Sequence, residues 1–193
     1  MKCLLGVAGI IVLLSPFAVA TAQSVSVDEQ VAQAVLPLPK DLRAGATVVT
    51  YDAATGARKV IRQGTNTLEC EPMDPSDGFT RCYDNVVVPR RELEAKLRAE
   101  KKSEKEIRDA IAAAVQDGTI KAPPFGLMSY RLSSKDGVIK WLWVMSVPYA
   151  TQESIGVSTV SQRDAALKGR GLPWLMLAGT AGAHVMIPMN RDE

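Results

Sequence analysis

Apolar positions recur along this chain with two different periods, and the change of period marks out the elements. In SVDEQVAQAVLPLP (26–39), Ser26 and Glu29 have capping-box spacing ahead of Val31 and Val35, and Pro37 stops the run. A short N-terminal helix is predicted there. ATVVTY (46–51) and RKVIRQ (58–63) are rich in β-branched residues and flank the turn-forming DAATG, which predicts a β-hairpin. TLEC (67–70) predicts a third strand ending at Cys70. The period then becomes helical. Pro89 suits a first helical turn, and Leu93 and Leu97 form one stripe. Ser103 with Glu106 opens a second helix carrying Ile107, Ile111 and Val115, which Asp117-Gly118 closes.

Beyond APPFG (122–126) the strand pattern returns. LMSYRL (127–132) and VIKWLWVMSVPY (138–149) flank a turn in which Asp136-Gly137 is a hairpin signal. In the second arm Ile139, Trp141, Trp143, Met145 and Val147 share one face, while Leu142 and Val144 make the other face apolar too. That pattern predicts a central strand buried on both sides. WLML (174–177) and AHVMIPM (183–189), joined by AGTAG, supply the last two strands. Strands, then helices, then strands predict an α+β domain: a mainly antiparallel sheet with a helical insertion and a short N-terminal helix.

The first residues change the picture of compartment. Lys2, the apolar run LLGVAGIIVLL, Ser15-Pro16 and then Ala20-Thr21-Ala22 have the order of a secretory leader. The run is shorter than the ~20 apolar residues a membrane helix needs. The expectation is a signal peptide over 1–22 and a single globular domain over 23–193, periplasmic or secreted, with no stable membrane span after cleavage. Loss of Lys2 leaves 22 basic against 21 acidic side chains. That balance, with signs interleaved along RRELEAKLRAEKKSEKEIRD, argues against a nucleic-acid partner. The stretch itself reads as a solvated helix face with Glu92–Lys96 and Glu94–Arg98 pairs. Once Cys3 leaves with the leader, Cys70 and Cys82 remain and are predicted to be bridged. The loop between them, with two prolines and Asp77-Gly78, is expected to have little regular structure.

Two stretches, ATVVTYDAATGARKVIRQGTNTLECEP with the following CYD, and the closing LPWLMLAGTAGAHVMIPM, resemble a group of exported bacterial proteins of unknown function. The matching residues are Arg62, Gly64, Thr65, Asn66, Cys70 and Cys82, then Pro173, Gly179, His184 and Met186. The resemblance covers the sheet-forming two thirds of the chain beyond the leader and less of the charged helices. It implies export and no particular activity. The Gly64-Thr65-Asn66 run also has an ordinary turn composition, with Arg62 placed to cap the loop from a strand.

His184 is the only histidine in the chain and the first place to look for chemistry. As a general base it would need a nucleophile such as Ser129, Ser146 or Thr180 and an orienting carboxylate such as Asp84, although no Gly-x-Ser-x-Gly elbow is present. With Met186 and Met189 it offers the soft ligands that suit copper, but strand alternation sends Met189 to the other face, and Met128, Met145 or Met176 would have to substitute. As a packing residue it would be half-buried with one ring nitrogen bonded. Trp141, Trp143 and Trp174 read as core or as pocket lining, and Asp74, Asp77 and Asp84 read as turn residues, not a calcium loop. The preferred reading is a non-catalytic binding or interaction module. Its partner would be a small molecule or protein of the cell envelope, with no metal and no cofactor. The expected site joins Arg62, Thr65 and Asn66 to Thr180 and His184, if their strands are neighbours. A hydrolase using His184 is the first alternative and copper binding through His184 and methionines the second.

Overall fold

The hydroxyl of Ser26 accepts the backbone N–H of Glu29 at 3.2 Å and so caps helix α1 (Val27–Ala34), the N-terminal helix expected from the pattern. The computed structural model describes residues 26–189, so the leader expected over 1–22 lies outside the described residues. Behind α1, Ala34, Val35 and Leu38 pack on Ala46, Val48, Cys70 and Cys82, the largest apolar contact at this end of the molecule.

The strands are β1 (Thr47–Tyr51), β2 (Arg58–Arg62), β3 (Leu68–Asp74), β4 (Phe79–Asp84), β5 (Met128–Ser133), β6 (Trp141–Ser146), β7 (Trp174–Met176) and β8 (His184–Pro188). They form one eight-stranded sheet in the order β2-β1-β3-β4-β5-β6-β8-β7. Every pair is antiparallel except β1 with β3. The fold is therefore α+β with a mainly antiparallel sheet. Among the described residues six helices accompany it: α1, α2 (Lys40–Arg43), α3 (Val88–Ala99), α4 (Glu104–Gln116), α5 (Gln152–Ile155) and α6 (Arg163–Ala166). No helix among the described residues is long and apolar enough to cross a membrane.

Cys70 and Cys82 are bridged and stand directly opposite each other in the β3–β4 ladder. Here the structure corrects the expected irregular loop. Strand β3 runs past Cys70 to Asp74, and the intervening residues form a β-hairpin whose turn is built by Asp74 and Asp77 accepting local N–H groups. The prolines do not prevent this, because Pro72 lies in β3 and Pro75 in the turn.

Ser103 and Glu106 form the reciprocal capping box of α4, and Ile107, Ile111 and Ala114 close against Leu93 and Leu97 of α3. The turn of the first hairpin meets α3 so closely that a Cβ on Gly56 (φ +72°) would lie 2.6 Å from the Lys96 backbone. Helix α3 corrects a second expectation. Glu92, Lys96 and Arg98 are exposed, but Glu94 is not part of a solvated face: it is 8% exposed and pairs with Arg90 and Arg91, while Arg98 turns to Glu104. One charged stripe of α3 faces the sheet, which explains why the apolar stripe of Leu93 and Leu97 is so narrow.

Strand β6 is an interior strand with buried Trp141, Leu142 and Val144 on its two faces. One side of this half of the sheet carries Val147, Leu175 and Val185 beneath Ile155 of α5. The other carries Leu142, Val144 and Trp174 beneath Ala166 of α6. On this second side α3 and α6 are attached at separate places, and the sheet between them is left partly open.

Candidate functional site

The open stretch of sheet is built by strand alternation. Arg81 and Tyr83 of β4, Ser129 and Arg131 of β5, Val144 and Ser146 of β6, and His184 of β8 project from one face, as the ladder Arg81↔Arg131, Tyr83↔Ser129↔Val144 and Ser146↔His184 requires. Helix α3 overhangs them. Between the two lies a cleft of about 220 Å³ lined by Arg90, Arg91 and Glu94 above, Ser129, Arg131, Ser146 and His184 below, and the 181–182 turn at the side.

The back of the cleft is a buried polar network. Arg91 donates to both carboxylate oxygens of Glu71, at 3.0 and 2.7 Å, and also to Glu94. Tyr83 donates its hydroxyl to the same Glu71, and Arg90 donates to Glu94 at 2.9 Å. Burial would lower the Arg91 pKa, but its bonds to Glu71 outweigh burial and raise it. For Glu94 burial pushes upward, yet Arg91 and Arg90 hold the carboxyl below its ordinary value. Burial, reinforced by the Glu71 charge, raises the Tyr83 phenol. Each member of this network has its partner.

Arg131 does not. Its guanidinium is partly buried and makes no hydrogen bond or ion pair with any described residue. Arg81, its neighbour across the ladder, is matched: it pairs with Asp77 and donates to the Phe79 carbonyl at 3.1 Å. Burial, then the charges of Arg81 and Arg91, push Arg131 down to about 10. It stays protonated at neutral pH, so the floor of the cleft carries an uncompensated positive charge.

His184 faces the same space. Its Nδ1 lies 2.8 Å from the Gly182 carbonyl oxygen, and since a carbonyl only accepts, Nδ1 carries the proton and the neutral ring keeps Nε2 as an acceptor. Burial, and the charges of Arg131 and Arg90 against the Gly182 bond, lower the ring below its ordinary value of 6.5. The hydroxyls of Ser129 and Ser146 form no hydrogen bond with described residues, and neither is bonded to the ring.

The structure does not bring the expected site together. Arg62 lies on β2 and His184 on β8, with β1, β3, β4, β5 and β6 between them. Arg62 is spent on the Arg43 and Ala46 carbonyls, at 2.7 and 2.6 Å. The N–H groups of Thr65 and Asn66 bind the Gly45 carbonyl, and the Asn66 amide donates to Leu42 at 3.0 Å. The Gly-Thr-Asn turn is thus a clamp on the segment leading into β1, and within its own loop the Asn66 side chain also accepts the Leu68 N–H. Thr180 is inside its own turn, donating to the Leu177 carbonyl at 2.8 Å. Asp84 caps the 3-10 turn Asn85–Val87 and accepts from Thr67, so it does not orient His184. Among the soft ligands, Met176 stands opposite His184 and Met186 shares its face, while Met189 lies past the end of β8. No group of three or more His, Cys, Asp and Glu among the described residues could hold a metal ion.

Of the five residues of the expected binding site only His184 lines the cleft, where it is joined by Ser129 and Ser146, two of the candidate nucleophiles. Arg90, Arg91 and Arg131 were not among them. The signal for Arg131 was the polar alternation Ser129, Arg131, Ser133 within a strand otherwise apolar, facing a helix that opens with two arginines. No protein-family model, curated protein or solved structure matches this chain.

Proposed function

We propose that this chain is an exported, non-catalytic binding module that captures a small anion in the cleft between α3 and the sheet. One observation carries the reading: Arg131 presents a desolvated, unpaired guanidinium there while every other charged side chain around it is matched. Leaving a charge in that position costs stability, and a ligand carboxylate or phosphate would supply the missing bidentate partner. Ser129 and Ser146 offer hydroxyl donors, and His184 becomes a donor at both nitrogens once protonated. The Cys70–Cys82 bridge is compatible with the oxidising compartment that the leader implies.

The hydrolase reading has less support, since no hydroxyl or carboxylate is bonded to His184. Copper binding has less support as well, because the guanidiniums of Arg131 and Arg90 beside the ring repel a cation. The test is ligand-induced thermal stabilisation of the purified chain with acetate, butanoate and inorganic phosphate at low salt. A ligand that binds only the folded state raises the melting temperature. The expected result is stabilisation of the wild type and none of Arg131→Met. No stabilisation of the wild type by any of the three would refute the reading.

A further inference from the structure

Arg131 lines a second cleft as well, and this one is mainly apolar. It has a volume of about 630 Å³ and is floored by Phe79, Leu142 and Met186 and walled by Ile139 and Trp174. The segment leading into α6 borders it, tied to the β5–β6 turn where Arg163 donates to the Gly137 carbonyl at 3.2 Å. The two clefts share two residues, Arg131 and Leu177. Leu177 is 57% exposed and held at positive φ (+54°), a conformation leucine adopts only under constraint. Its carbonyl is pinned by the N–H and hydroxyl of Thr180, which fixes the side chain at the boundary of both spaces.

A cationic cleft that shares one arginine with a larger, mainly apolar one matches the shape of an amphiphile. Binding sites for such molecules are mostly apolar with a few placed polar groups. We propose that the ligand is a single-chain carboxylate of the fatty-acid type, its head on Arg131 and its hydrocarbon chain in the cleft beneath Trp174. This rests on the anion-binding reading and extends it. Charge complementarity selects the head: one unpaired guanidinium calls for one anionic group. The lining selects the body, because the floor and walls, Phe79, Ile139, Leu142, Trp174 and Met186, are apolar, and the polar lining residues Thr159, Ser161 and Arg163 are exposed. No covalent step is involved.

The test is a calorimetric series on the wild-type chain with acetate, butanoate, hexanoate, octanoate and decanoate, with decanol and decyl phosphate as head-group controls. Burying each methylene is expected to strengthen binding about fourfold, equivalent to ~0.8 kcal/mol, until the cleft is filled. Decanol, lacking the charge for Arg131, should bind about tenfold or more weakly than decanoate. Decyl phosphate binding far more tightly than decanoate would overturn the choice of a carboxylate head. Ala178→Trp, at an exposed position on the rim of the apolar cleft, should flatten the chain-length dependence while leaving butanoate binding unchanged. If acetate and decanoate bind equally, the amphiphile proposal fails while the anion site stands. If decanol binds as tightly as decanoate, or no carboxylate binds, the anion site fails with it.

Discussion

Arg131 and Arg81 stand directly opposite each other across the β4–β5 ladder, two guanidiniums on one face, and only Arg81 has a carboxylate. Like charges in that relationship are unfavourable, and the sheet keeps them. Replacing Arg131 by Met, which retains the length of the side chain without its charge, is expected to stabilise the unliganded protein. A gain of about 1 kcal/mol, already discounted for the part of the group that reaches solvent, corresponds to ~2–4 °C in melting temperature for a chain of this size. Calorimetric or optical melting measures it, and a lower melting temperature would mean that Arg131 is a structural residue.

Glu71 holds the opposite position in the energetics. It accepts from Tyr83 and twice from Arg91, so Glu71→Ala leaves Arg91 with Glu94 as its carboxylate partner and strands a buried phenol. The expected loss is about 2–3 kcal/mol in denaturant unfolding. Tyr83→Phe removes one donor and leaves Arg91 matched, so it should cost only about 1 kcal/mol.

Anion affinity should depend on pH through His184. The ring's pKa is depressed in the free protein by burial and by Arg131 and Arg90. A bound anion offsets those charges and raises it, so binding takes up a proton. Carboxylate affinity is expected to increase from about pH 8 to about pH 5.5, by at most about tenfold per unit, and His184→Gln should remove the dependence. The stability of the free protein moves the other way. Because the folded ring binds its proton less readily than the unfolded chain, the contribution of His184 is complete above pH 6.5 and lost as pH falls through the depressed folded value. Glu94 adds a second loss below its ordinary value of 4.5, since its folded pKa is also depressed.

The Arg62 to Asn66 turn should be indispensable to folding and irrelevant to binding. A Cβ on Gly64 would lie 2.3 Å from both the Gly45 oxygen and the Thr47 nitrogen, backbone atoms that cannot swing aside. Gly64→Ala is expected to cost about 2–4 kcal/mol. Asn66→Ala, which loses a bond to Leu42 and one from Leu68, should cost about 1–2 kcal/mol with unchanged ligand affinity. Removing the Cys70–Cys82 bridge as a double alanine variant should cost about 3 kcal/mol for a loop of this length.

What the sequence revealed was local. The caps at Ser26 and Ser103, the Asp136-Gly137 turn and the alternation of β6 are short-range patterns, and each stands where it was expected. The cleft is not local. Arg131 reads as the wet side of a strand until α3 is laid over it. Arg91 reads as a surface charge until its partner Glu71, twenty positions away, is known to lie beneath it, and Glu94 follows because it pairs with Arg91. The expected meeting of Arg62 with His184 is conditional on strand order, and the insertion of β1 beside β3 and of β8 between β6 and β7 follows from long-range pairing that no short pattern encodes.

The most direct test of the account is the side-chain Nε–H resonance of Arg131, assigned by its disappearance in Arg131→Met and followed by NMR as octanoate is added to the labelled wild-type chain. The account predicts a shift that saturates at one equivalent, larger than that of any other arginine. An Arg131 resonance that stays in place while the ligand saturates, or shifts no larger than those of exposed Arg108 and Arg170, would contradict it.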